Sequence, residues 1–164
     1  MLDINTIIFQ RLPYLDASIQ ENIDLVSNFK NEVLMLIGDE LSKKNESIDL
    51  SNETTFSNSD KLITAYHSVY NLLSQKGLKN SEGEKGNQAT DNIIVTSQKA
   101  DVVSQSFQVK DPRTGILLNY TQGLELYKKL TCAIAKRKGL TLDICYNPND
   151  KADIPSVMFF PDEN

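Results

Sequence analysis

Apolar residues recur at helical steps between Ile19 and Leu41, and this pattern constrains the chain more than any other. Ile19, Ile23, Val26, Val33, Ile37 and Leu41 fall on one helical stripe, and Leu25, Phe29 and Leu36 widen it. A helix with one buried face needs fewer apolar positions, so this one is expected to be covered on more than one side. "SIQE", Ser18 to Glu21, fits a capping box at its start, with hydroxyl and carboxylate each satisfying a first-turn amide. A second helix is expected from a cap at Ser59 or Asp60, with Leu62, Ile63, Tyr66, Val69, Tyr70 and Leu73 inward and Gly77 as its left-handed end. Residues 42–59 between the two are polar and rich in Ser and Asn, and read as a long connection with at most a short extended piece at Ile48–Leu50.

Around this helical pair the pattern changes. Residues 1–15 read as an extended N-terminal arm, because Ile4, Ile7, Ile8, Phe9 and Leu12 keep no clear period and Pro13 restricts the chain. Residues 77–92 carry three glycines, alternating charges and one large apolar residue, so a flexible loop is expected there. "IIVTSQKADVVSQSFQV", Ile93 to Val109, is β-branched and then alternates at Val103, Phe107 and Val109, the mark of a strand. "DPRTG" at 111–115 has the punctuation of a turn. A third helix over Thr121–Lys138 turns Leu124, Tyr127, Leu130, Ile134 and Cys132 inward and ends in Lys136, Arg137 and Lys138 before Gly139. "LTLDICY" alternates Leu140, Leu142, Ile144 and Tyr146 and reads as a short strand closed by "NPND". The last stretch, "IPSVMFFPDEN", is apolar and too short to fold alone. The fold class expected is α+β, mostly helical: a small helical core at 16–146 with an extended strand segment and a flexible loop, flanked by the arm at 1–15 and a C-terminal tail at 147–164.

Composition bounds what such a domain does. With 164 residues, 40% hydrophobic and 24% charged, one ordered domain is expected rather than a disordered chain. The absence of tryptophan and a mean hydropathy of -0.35 suggest a modest core that gains from burial in an assembly. A formal charge of -5 and a pI near 4.9 argue against wrapping nucleic acid, which takes clustered Lys and Arg. No apolar run approaches the roughly 18 residues of a membrane span, and "MLDINTIIFQ" lacks the basic start of a secretion signal, so a cytoplasmic setting is expected. In that setting Cys132 and Cys145 are expected to be free thiols in or near the core.

Residues that carry chemistry are sparse. His67, the single histidine, needs a partner such as Cys132 or Asp60 for catalysis and is expected instead on the surface or at an interface. One His and two distant Cys make no zinc set, and no calcium-loop pattern occurs. The carboxylate pairs Asp39–Glu40, Glu82–Glu84 and Asp162–Glu163 lie in polar helix ends or loops, where acid–base work has no buried member to use. Glycines 77, 83 and 86 miss the phosphate-loop spacing, and the acceptor patterns at Asn45, Asn52 and Asn119 carry no weight without secretion. No enzyme activity, metal or cofactor is expected. What remains is a set of surfaces, which an assembly component uses most economically.

Two apolar helices, an insertion and then "VTSQKADVVSQSF", Val95 to Phe107, resemble the head–tail connector (adaptor, or head completion) proteins of tailed bacteriophages. That family follows its helical core with a segment of the type T-S-x-K/S-x-G/A-D-x-S-V-S-[YF]. Thr96, Ser97, Lys99, Ala100, Asp101, Val103, Ser104, Ser106 and Phe107 occupy similar places here. The resemblance covers mainly residues 16–110. The long connection after the first helix, the longer third helix and the C-terminal third depart from the family pattern.

The resemblance implies a structural virion protein at the head–tail junction, made in the host cytoplasm. It implies a homo-oligomeric ring, typically of twelve subunits, that binds the portal protein and a downstream neck or tail protein. DNA passes through its channel without specific binding, and no membrane is involved. An intersubunit strand is then expected at Val95, Lys99, Asp101, Val103, Phe107 and Val109, with docking to portal or another partner at Val157, Met158, Phe159 and Phe160. Alternatives are a tail-completion or second neck-ring protein, and a monomeric regulatory domain that binds a protein through the same segments.

Overall fold

Seven consecutive residues, Ile63 to Val69, are all buried, which requires that the helix carrying them be enclosed on every side. The computed structural model of the protein describes residues 3–82 and 108–146, the side chains of 76–82 excepted. In it, helices α1 (Ile4–Arg11), α2 (Gln20–Ser42), α3 (Asn58–Glu82) and α4 (Tyr120–Lys138) are joined by a two-stranded antiparallel sheet of β1 (Val109–Lys110) and β2 (Leu117–Leu118). α3 is the enclosed helix, with α1, α2 and α4 all packed on it and α4 in the most extensive contact. The fold is therefore mostly helical α+β, as expected.

Local chemistry sets the helix ends. Ser57 and Asp60 form a reciprocal box before α3: the Ser57 hydroxyl accepts from the Asp60 amide at 3.1 Å, and the Asp60 carboxylate accepts from the Ser57 amide at 3.3 Å. The cap thus lies two residues ahead of the expected Ser59. Asn119 and Gln122 form a full capping box on α4, and Gly139 closes it in the left-handed region with φ +70°, directly after the basic last turn that ends at Lys138. Inside α3, the buried Thr64 and Ser68 hydroxyls donate to the carbonyls of Asp60 and Thr64, so neither is left unpaired in the core.

Several expectations are corrected. The N-terminal segment is not an extended arm: Asp3 caps α1 by accepting from the Thr6 amide, and Ile4, Ile7 and Ile8 share the face that packs on α3. Together with Leu12 these side chains are essentially inaccessible, at about 1.5–3 kcal/mol of burial each before ordering costs. Ser18 does not cap α2. Its amide and hydroxyl turn back to the Asp16 carboxylate at 2.8 and 2.7 Å, and α2 starts after Ile19 without a side-chain cap. Gly77 does not end its helix, since α3 runs on to Glu82; residues 83–92 of the expected loop lie outside the described residues.

The C-terminal part differs too. Leu140 and Leu142 are buried as the alternation requires, but Asp143–Cys145 form a 3-10 turn rather than a strand. Cys145 in that turn is disulfide-bonded to Cys132 of α4, so the two are not free thiols. The bond fastens the segment after α4 onto the helix it has just left.

Candidate interaction surfaces

The hairpin after residue 108 turns one side inward and the other out. Val109 is fully buried and pairs with Leu118, while the Tyr127 hydroxyl donates to the Lys110 carbonyl from α4. Tyr127 in turn meets Tyr66 of α3 edge-on, with ring centroids 5.4 Å apart. At the tip, Gly115 donates to the Asp111 carbonyl at 2.8 Å with φ +74°, a conformation that favours glycine, and the Asp111 carboxylate accepts from the Arg113 amide at 2.8 Å. That amide bond, with the Arg113 guanidinium beside it, holds the Asp111 carboxyl below the usual carboxylate range. Beyond the turn, Ile116 is 60% and Leu117 48% exposed. Two aliphatic side chains on a short edge strand have no cover among the described residues.

The outer faces of α2 and α4 carry opposite charge. α2 has Glu21, Asp24, Glu32, Asp39 and Glu40 against a single Lys30; α4 has Lys128, Lys129, Lys136, Arg137 and Lys138 against a single Glu125. Two of these ten are ion-paired within the chain, Glu40 with Lys43 and Lys138 with Asp60, and the Asp24 carboxylate accepts from the Gln20 side chain at 2.8 Å. The other eight are solvent-exposed and form no ion pair among the described residues. On α2 the carboxylates surround Met35 and Leu36, 65% and 47% exposed. An open cleft of about 390 Å³ runs beside this face, lined by Phe29 and Glu32 of α2 and Tyr70, Asn71, Ser74 and Gln75 of α3.

Groups that could support catalysis are dispersed. His67 is buried, not on the surface: α3 is enclosed around it, its Nδ1 has no hydrogen-bond partner among the described residues, and burial pushes its pKa down to about 4. Asp60, a possible partner, is committed to Lys138, whose Nζ lies 2.7 Å from its carboxylate, and to Ser57. Burial opposes ionisation of Asp60, yet the ammonium and the hydroxyl outweigh it and keep the carboxyl below its ordinary range. Cys132, the other possible partner, is in the disulfide. Among the described residues no group of three or more His, Cys, Asp or Glu could hold a metal ion, and no helix is long and apolar enough to cross a membrane.

Of the expected site residues, Val109 is placed in the chain's own core, paired within the chain rather than presented to a neighbour. Val95, Lys99, Asp101, Val103 and Phe107, and Val157, Met158, Phe159 and Phe160, lie outside the described residues. The charged faces of α2 and α4 were missed at the sequence level, although the segregation of carboxylates into one helix and cations into another is visible there. Net charge averages the two and hides both. The chain matches no protein-family model, no curated protein and no solved structure.

Proposed function

We propose that this chain is a structural subunit of a tailed-phage neck, assembling into a head–tail connector ring that docks on the portal and continues the DNA channel towards the tail. The observation that carries the reading is the run "TSQKADVVSQSF", which stands between α3 and β1 in the sequence, the order the connector family uses. The exposed Ile116–Leu117 edge supports it, because an edge uncovered among the described residues gains hydrogen bonds and apolar burial when another chain pairs with it. The overall acidity supports it as well: a channel wall with few cations facing inward lets a phosphate backbone slide instead of holding it by counterion release. In this role the chain uses no cofactor and catalyses no reaction.

The test is light scattering after size-exclusion chromatography, with and without purified portal from the same source. Co-migration as a ring on the portal is expected. A chain that stays monomeric and ignores the portal overturns the proposal and favours a monomeric protein-binding domain, for which the cleft between α2 and α3 is the place to look.

A further inference from the structure

The exposed faces of α2 and α4 are opposite in charge and share one charge spacing. On α2, Glu32 and Asp39 are seven residues apart, two helical turns or about 10.5 Å, and the exposed Met35 and Leu36 lie between them. On α4, Lys129 and Lys136 are likewise seven apart, with the small exposed Ala133 between them. Laid side by side in either direction, each carboxylate meets an ammonium while Met35 and Leu36 settle over the low point at Ala133. A second charge set repeats the match: Asp24 and Glu32 on α2, and Lys128 and Lys136 or Lys129 and Arg137 on α4, are each eight residues apart, about 12 Å. Within one molecule the two faces cannot meet, because both helices turn their inner sides to α3.

We infer that the acidic, Met35-bearing face of α2 docks on the basic face of α4 in a second copy of this chain. The occupant is a second copy because one chain carries both halves of a complementary pair on surfaces that form no ion pairs with each other among the described residues. Since the two faces differ, the contact is heterologous: every copy offers one face and accepts on the other, so association propagates in one sense and closes into a ring when the rotation allows. The pairing deepens the ring reading and rests on it for closure, whereas charge and spacing alone carry the contact itself.

Two double variants test it by sedimentation velocity of the full chain: Glu32→Lys with Asp39→Lys, which puts cations at the paired positions of both faces, and Lys129→Glu with Lys136→Glu, which puts carboxylates at both. The wild type should self-associate at about 50 mM salt and lose at least about tenfold in affinity at about 500 mM, as screening predicts. Each variant alone should be monomeric, and an equimolar mixture should associate again, since each supplies the face the other lacks. Circular dichroism checks that the helices persist. If a reversal unfolds the chain, Glu32→Gln with Asp39→Asn should still weaken association at least severalfold.

Variants that associate like the wild type, a mixture that stays monomeric, or a wild type that is monomeric at about 50 mM salt overturn the pairing, whatever the portal experiment gives. Variants that still form rings on the portal overturn the pairing and leave the ring reading standing. Salt-sensitive oligomers that ignore the portal uphold the pairing and overturn the connector role.

Discussion

A Cβ on Gly123 would lie 2.0 Å from Cγ1 of Val109, so α4 crosses β1 at a distance that only glycine permits. The Val109 Cβ at 3.2 Å and Leu73 of α3 at 3.4 Å crowd the same position. Gly123→Ala should therefore destabilise the domain by about 2 kcal/mol by urea unfolding, overpacking outweighing the roughly 1 kcal/mol that alanine gains in a helix. Adding Val109→Ala should cost less in the Gly123→Ala background than in the wild type. Additive losses would show that the two sites do not share this space.

Lys138 joins the last turn of α4 to the first turn of α3 through Asp60, with side-chain exposures of 23% and 8%. Lys138→Met leaves the Asp60 carboxylate buried without its cation and should cost about 3 kcal/mol. Asp60→Asn in the same chain should recover part of that loss. Because the folded carboxyl titrates below its unfolded value, the stability from this pair is present above about pH 4 and fades as pH falls through the lower folded value.

His67 makes the domain acid-sensitive at a higher pH. Its folded pKa of about 4 lies below the unfolded 6.5, so between these values the unfolded chain binds the extra proton and stability falls as pH falls. Going from about pH 7 to pH 5 should remove about 2 kcal/mol through this residue. In His67→Phe the slope over that window should flatten; an unchanged slope would assign it to other groups.

The Cys132–Cys145 bond closes a loop of 13 residues and should contribute about 3 kcal/mol by restricting the unfolded chain. Thermal unfolding with and without reductant measures this, and alkylation before reduction should label no cysteine. Reduction should loosen the Asp143–Cys145 turn first, while α1 to α3, which make no contact through the bond, keep their helical signal.

The long helices were legible because their apolar periods run for several turns, and for α4 the basic last turn before Gly139 also marked the end. α1 was not, since eight residues give Ile4, Ile7 and Ile8 too few repeats to distinguish a helix from an apolar arm, and the helix packs most extensively on α3, far along the chain. Gly77 looked like a stop, but a glycine costs a helix only about 1 kcal/mol, less than continuation can return. The disulfide joins a helix to a turn, and no spacing rule puts those two together. His67 read as a surface residue because periodicity reveals one apolar face, not that three other helices enclose the remainder. The charged faces became visible only once burial showed which charges point the same way.

The enclosure of α3 also orders events during synthesis. α1 is made before α3, yet its most extensive packing is on that helix, which begins at Asn58, with α2 and β1 adding less. At roughly 5–20 residues per second, an isoleucine-rich helix waits several seconds beside the ribosome before its cover emerges. During that interval it is the part of the nascent chain most open to chaperones and to other nascent copies.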